Sequence, residues 1–266
     1  MLEGWSQLAP YLALFGVGLI AGVLNVLAGG GSFLTLPVLL FLGLPSTLAN
    51  GTNRVGILVQ NVGAVWGFHR YRVLPWRWAM AAVLPATAGA GLGSWLALWV
   101  SDEAFRKILA SLMVVVTLWT LLDPVGRRRP KGEDSRDGQS TVPVPDLTGG
   151  RLAGVAVGFL AVGIYGGFVQ AGVGFFVLAV TTAAGLDLVR GNALKVLAIL
   201  VFTVLSLAIF ASQGEVDWRL GAVLAAGTFL GGQLGVRLTV LRGHRWVKGF
   251  VTVTVIAFAL KLWWDS

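Results

Sequence analysis

The chain has 266 residues, of which 56% are hydrophobic and only 12% charged; its mean hydropathy is +0.81. A soluble domain carries about 25% charge, so an ordinary water-soluble fold and a disordered chain are both excluded. The absence of cysteine removes disulfides, thiolate catalysis and Cys-ligated metals, and the formal net charge of +8 reads as basic loops held on the cytoplasmic face of a membrane, with no nucleic acid expected.

In chain order, apolar runs cover 9–28, 32–44, 50–68, 79–100 and 104–122. No cleavable signal precedes the first, because MLEGWSQLAP lacks a basic start. The stretch 123–150 is rich in Pro, Gly and charge, and reads as a solvated linker whose RRRPK cluster anchors it on the cytoplasmic side. A second series follows at 151–170, 174–186, 192–212, 219–240 and 246–264. A helical crossing takes roughly 20 apolar residues, so most runs span. Residues 32–44 and 174–186 are too short for a comfortable crossing, and each follows a glycine-rich break. They read as broken, re-entrant or tilted helices. The runs are continuous rather than alternating, which argues against barrel strands. The expected fold is an all-α polytopic membrane protein of about 8–10 helical segments. Residues 1–123 form a first repeat, 124–150 a cytoplasmic linker and 151–266 a second repeat.

The repeat rests on register. Shifted by 142 positions, Phe33 meets Phe175, Leu36 meets Leu178, Asn50 meets Asn192, Trp76-Arg77 meets Trp218-Arg219, and Gly89 and Gly93 meet Gly231 and Gly235. Loop charges then give the sense of each half. The basic loop HRYR (69–72) corresponds to the acidic SQGEVD (212–217), and the acidic SDE (101–103) to the basic LRGHR (241–245). Basic loops stay cytoplasmic, so the two repeats are expected in inverted topology, with both chain ends outside and the linker inside. Inverted repeats are a recurring plan of transporters.

Polar groups inside this apolar layer mark the candidate site. Asn25 precedes Gly29, Gly30, Gly31, Ser32 and Thr35; Gln170 precedes Gly172 and Gly174 at the matching place. Successive glycines each cost about 1 kcal/mol in a helix. They either permit close helix contact or break the helix, and the break is the favoured reading. A helix that restarts inside the membrane aims the partial positive charge of its amides at the gap, an anion site without a charged side chain. Asn50, Thr52, Asn53 and Arg54 follow in the first half, with Asn192 and Lys195 in the second. For Arg54 and Lys195 two readings stay open: snorkelling to the interface or countering a negative substrate. Gln60 and Asn61 lie deeper, and either tie helices together or line a path.

Absences narrow the chemistry. No Asp or Glu falls inside an apolar run, and His69 and His244 sit at basic run ends. A buried proton relay, a metal site and a catalytic centre therefore lack their residues, and no cofactor is expected. Trp5, Trp76, Trp78, Trp99, Trp218, Trp246, Trp263 and Trp264 favour segment ends, as an interfacial belt does.

Two motifs carry a family resemblance. Ala28-Gly29-Gly30-Gly31-Ser32-Phe33-Leu34-Thr35-Leu36-Pro37, with Gly43-Leu44-Pro45 and Ala49-Asn50-Gly51-Thr52-Asn53, resembles the first signature of the sulfite exporter TauE/SafE family. Residues 166–176 (GGFVQAGVGFF) and 185–195 (GLDLVRGNALK) resemble its second, although Val173 interrupts the glycine triplet and Ala179 replaces a usual proline. The resemblance implies a bacterial inner-membrane, multi-pass transporter of sulfite, organosulfonates or related small anions, and it carries the signature positions onto the glycines, Ser32, Thr35, Pro37, Asn50, Thr52, Asn53, Asn192 and Lys195. The expected function is secondary transport, in the export direction by analogy. A passive anion channel and a membrane enzyme acting on a lipid phosphate are the alternatives. The oligomeric state is left open.

Overall fold

The computed structural model describes residues 2–27, 29–122 and 144–242. Every regular element among them is helical: α1 (Leu2–Leu27), α2 (Ser32–Phe41), α3 (Ser46–Arg70), α4 (Trp76–Ala97), α5 (Asp102–Leu122), α6 (Gly149–Phe168), α7 (Val173–Ala183), α8 (Leu188–Ser212) and α9 (Trp218–Arg242). The all-α expectation holds for these residues. The run at 246–264, the RRRPK cluster, Ala28, His244, Trp246, Trp263 and Trp264 lie outside them. Four stretches are long and apolar enough to cross a membrane by length and composition: Leu8–Leu27, Trp76–Ala97, Gly149–Phe168 and Leu188–Ser212. The short α2 and α7 have 10 and 11 residues.

Acidic residues in the described helices occur only in first turns, at Glu3, Asp102 and Glu103. Asp102 and Glu103 there favour the positive end of the helix dipole. Asp187 precedes α8 and accepts from Arg190 N at 2.9 Å, and Asp217 precedes α9 and accepts from Arg219 N at 2.9 Å. Asp102 also ties α5 to the start of α3, accepting from Ser46 N at 2.9 Å and from the Ser46 hydroxyl.

Glycine sets the packing. Gly227, Gly231 and Gly235 of α9 lie against Phe15, Leu19 and Val23 of α1, so these helices touch backbone to backbone and run in the same sense. On the other side of the molecule Gly89 and Gly93 of α4 lie against Leu160 and Ile164 of α6, with Gly163 and Gly167 of α6 set against Ala86 and Ala90. Helix α9 also runs along α3, with Gly56 against Leu224, Gly63 against Gln233 and Gly67 against Val236. Lipid tails are as apolar as leucine, so such close approach, rather than apolar burial, carries helix association. Helices α3 and α8 run in opposite senses. Arg54 stacks on Phe210 at one end, while Ala64 and Phe68 share a cluster with Ala193 and Val196 at the other.

The main contacts therefore join helices from opposite parts of the chain: α1 with α9, α4 with α6, α3 with α9, α4 with α8, and α3 with α8 across the middle. Exchanging each helix for its equivalent 142 positions away reproduces this set. Trp76, Trp99 and Trp218 are exposed, as an interfacial belt requires, but Trp78 is not. Trp78 is buried and donates its indole N–H to Pro145 O at 3.2 Å, pinning the end of the linker to the start of α4.

Candidate functional site

Helix α3 begins at Ser46 and α8 at Leu188, earlier than their apolar runs, so Asn50–Arg54 and Asn192–Lys195 lie one to two turns inside helices. Pro45 stands before the first helix and the capping Asp187 before the second. Arg54 and Lys195 are both 0% exposed, which rules out the snorkelling alternative for each. The physical reason is visible in what they touch.

Lys195 reaches the end of α1. Its ammonium donates to Asn25 O at 3.0 Å, Val26 O at 2.7 Å and Asn192 Oδ1 at 2.7 Å. These three acceptors use all of its donors. Arg54 does the same at the end of α6. Its guanidinium donates to Gly166 O at 3.3 Å, Gly167 O, Gln170 Oε1 at 2.9 Å and Asn50 Oδ1 at 3.4 Å. Asn50 Nδ2 completes that end by donating to Phe168 O at 2.7 Å. The last carbonyls of a helix have no partner within it, and a cation there also meets the negative dipole end. Each interrupted helix is thus closed by a cation from a helix 112 to 170 positions away in sequence.

The restarting helices are treated differently. Gly31 and Gly172 occupy the N-cap positions of α2 and α7, with no side-chain cap and no acid in the first turn. The two breaks meet. Gly29 (φ +87) lies on Gly174, where a Cβ would come within 2.7 Å of the Gly174 carbonyl carbon. Gly172 (φ +71) lies under the Phe33 ring, and a Cβ on Gly174 would come within 3.0 Å of Lys195 Cδ. Gln170 takes the left-handed conformation (φ +65) without being glycine. Its side chain holds it there, accepting from Arg54 and donating to Thr203 Oγ1 at 2.8 Å.

The remaining candidates attach to this frame. Thr35 Oγ1 donates to Asn53 Oδ1 at 2.6 Å, joining α2 to α3. Asn25 Nδ2 donates to Gln60 Oε1 at 3.1 Å. Gly31 packs on Ala21 and Asn25, and Gly30 and Ser32 are buried beside it. Two residues stand apart. Thr52 Oγ1 accepts from Asp217 N at 2.9 Å, facing the loop before α9. Asn61 Nδ2 donates to Ile57 O of its own helix at 2.8 Å. Sequence reasoning missed Ser94, whose hydroxyl lies within hydrogen-bond distance of Gly167 O (3.1 Å) and of Ser206 Oγ (2.8 Å), as well as Thr203 and Gln233. Small hydroxyls in an apolar helix give little signal; an amide such as Gln233 in the middle of a glycine-rich span is the more readable mark.

The electrostatic balance is one-sided. Neither Arg54 nor Lys195 has an ion-pair partner among the described residues, whose salt bridges join Glu103 to Lys107 and Asp187 to Arg190. No group of three or more potential metal-ligating side chains occurs among them either. Buried side-chain nitrogens left without an acceptor are Asn53 Nδ2, Arg54 Nε, Gln60 Nε2 and Gln233 Nε2. At the crossing the unmet need is therefore for acceptors and negative charge.

Similarity to known proteins runs over nearly all of the chain. A family model for sulfite exporter TauE/SafE matches residues 14–262. Among curated proteins, the probable membrane transporter protein YfcA of Escherichia coli (strain K12) is 29% identical over 254 residues, 95% of this chain and 89% of that protein. A probable membrane transporter protein of Haemophilus influenzae is 28% identical, covering 95% of this chain and 94% of its own. A third, from Sinorhizobium sp, is 29% identical over 250 residues, covering 94% and 90%. No solved structure matches. With its helices long and apolar enough to cross a bilayer and a family match across nearly all of its length, the chain belongs to the sulfite exporter TauE/SafE family of membrane transporters.

Proposed function

We propose that the protein is a secondary transporter of a small oxyanion, sulfite or an organosulfonate, in the bacterial inner membrane, working in the export direction. The carrying observation is the charge balance at the two breaks. Helix ends of both signs meet there, and only the negative ends, those of α1 and α6, are covered by cations. The N-termini of α2 and α7 carry neither acid nor side-chain cap. Covering the carbonyl ends with cations while leaving the amide ends without an acid or a side-chain cap gives the crossing a net positive field. Two buried charges without a counter-charge are costly in a low-dielectric interior, and a bound anion relieves that cost.

The reading takes the two halves as inverted repeats. It is supported by the opposed senses of the equivalent helices α3 and α8 and by the contact pattern that exchanges α1·α9 with α6·α4. Under the rule of basic loops inside, the loop at 69–72 and the linker then lie in the cytoplasm, and the loops at 101–103 and 212–217 outside. Asn25, Gly29–Gly31, Ser32, Thr35, Asn53, Gln60, Gln170, Gly172 and Gly174 surround the anion. Asn50, Arg54, Asn192 and Lys195 hold the frame and supply the field. Rocking of one half on the other about the Gly29–Gly174 contact exposes the anion to each side in turn.

The test is flux of radiolabelled sulfite and sulfoacetate in proteoliposomes. Saturable uptake with trans-stimulation, lost in Gly174→Leu, is expected. Flux that does not saturate makes the protein a channel, and no flux of any sulfur oxyanion removes the substrate class.

A further inference from the structure

The anion site as described leaves Gln60 and Gln233 half explained. Gln60 is 1% exposed; its Oε1 accepts from Asn25, and its Nε2 has no partner. Gln233 Nε2 is buried and likewise unpartnered. The two glutamines face one another's helices in a reciprocal arrangement. Gln60 of α3 lies over Gly232 of α9, where a Cβ would come within 2.8 Å of its Cγ, and Gln233 of α9 lies over Gly63 of α3. A side chain at Gly63 would fill the space that the Gln233 amide now occupies, and one at Gly232 would press on the stem of Gln60. Two buried amide nitrogens therefore share one helix crossing, and neither donates to anything.

Their position relative to the breaks gives the arrangement a direction. Gln60 joins Asn25, whose own carbonyl takes the Lys195 ammonium, so the pair adjoins the capped end of α1. Along α3 it lies between Arg54 and the basic loop at 69–72. The equivalent crossing of α8 with α4 has no counterpart: Phe202 stands at the position equivalent to Gln60, and Gly91 at that equivalent to Gln233. A purely structural amide pair would bond to itself or to a carbonyl, since a buried donor left unmade is destabilising.

We propose that Gln60 and Gln233 form a one-sided oxyanion subsite, placed between the central breaks and the 69–72 loop, that donates to two oxygens of the transported anion. The proposal rests on the transport reading for the nature of its ligand. It adds a residue outside the glycine motifs, Gln233, and it assigns selectivity to one side of the crossing. A ligand with two or more terminal acceptor oxygens, such as sulfite, sulfate or a sulfonate, gives each of two separate N–H donors its own oxygen; a halide must be reached by both at one centre.

The experiment compares wild type, Gln233→Met and Gly63→Ala in detergent by thermal unfolding, with sulfite, sulfate, sulfoacetate and chloride titrated separately, alongside sulfite flux in vesicles. Gln233→Met keeps roughly the side-chain volume and removes the carboxamide, with its unpartnered Nε2. In the absence of ligand its midpoint is expected to equal or exceed that of wild type, because a buried unmade donor has gone. Its apparent affinity for the oxyanions is expected to fall about tenfold, the effect of losing one hydrogen bond of roughly 1.4 kcal/mol, with chloride unaffected. Gly63→Ala, which displaces the Gln233 carboxamide without removing it, is expected to weaken the same anions. Equal oxyanion stabilisation of wild type and Gln233→Met overturns the subsite. Sulfite flux by wild type without any oxyanion-dependent stabilisation also overturns it, while leaving the transport reading intact. A wild type that neither binds nor moves these anions removes both.

Discussion

Arg54→Lys separates a helix cap from a direct ligand. The guanidinium serves four acceptors at once: Gly166 O, Gly167 O, Gln170 Oε1 and Asn50 Oδ1. Lysine keeps the charge but offers three donors from a single point, and it does not reproduce a planar fork. At least one acceptor, and with the altered geometry two, are left unmet in a fully buried site. Each unmet buried group costs about 1–3 kcal/mol, so two cost about 2–6 kcal/mol. For a chain of this size, about 2–4 °C of melting temperature accompany each kcal/mol, which places the midpoint about 4–24 °C below wild type. The stacking on Phe210, at 4.7 Å from the ring centroid, is available to either cation and does not offset the loss. Intrinsic tryptophan fluorescence during heating of the detergent-solubilised protein reads the shift. A midpoint within about 2 °C of wild type would refute the capping role. If vesicle flux were lost at the same time, Arg54 would be a ligand and not part of the frame.

Other outcomes follow from the same geometry. Lys195→Met leaves Asn25 O and Val26 O without their donor, and is expected to lower the melting midpoint and abolish anion flux; Lys195→Arg is expected to recover part of the first and less of the second. Gly29→Ala puts a Cβ on the Gly174 backbone at a positive φ, and is expected to reduce folded yield on size-exclusion chromatography far more than Gly16→Ala, where nothing lies within 4 Å. Thr35→Val removes the donor to Asn53 and leaves that carboxamide with neither atom paired; a loss of about 1–2 kcal/mol is expected, read as a lower thermal midpoint. Trp78→Phe removes the indole bond to Pro145 O, and is expected to speed proteolysis in the linker while leaving flux near wild type.

Much of this fold was legible because membrane sequence and membrane structure share one simple rule. A run of apolar residues becomes a helix, and the order α1 to α9 follows the runs with only boundary shifts. Boundaries moved where polar residues belong to the helix without belonging to its apolar stretch. Asn50–Arg54 open the apolar run at 50–68, yet they lie a turn or more inside α3, where Asn50 and Arg54 reach carbonyls on α6. Hydropathy counts residues along one helix and carries no information about a partner more than a hundred positions away. The roles of the two cations were hidden for the same reason. A lone buried Lys or Arg suggests a substrate contact, whereas here each ends a helix that began in the other half of the chain. Trp78 resembles an interfacial tryptophan in sequence, and only the fold brings Pro145 to its indole.

The capping arrangement also bears on the sign of the cargo. An interrupted helix inside a membrane exposes carbonyls on one side of the gap and amides on the other, so without help it favours neither anion nor cation. A protein that placed acids at the amide ends and left the carbonyls bare would build a cation site from the same backbone. This chain does the reverse at both breaks, with Lys195 and Arg54 on the carbonyls and glycines before the amides. It keeps every Asp and Glu of the described helices in a first turn. Charge reversal at the caps is therefore a direct test. Lys195→Glu would place a carboxylate against Asn25 O and Val26 O, acceptor facing acceptor, and protein that still folds is expected to bind oxyanions at least tenfold more weakly. Unchanged oxyanion affinity in such a protein would mean that the two buried cations do not set the selectivity of the crossing.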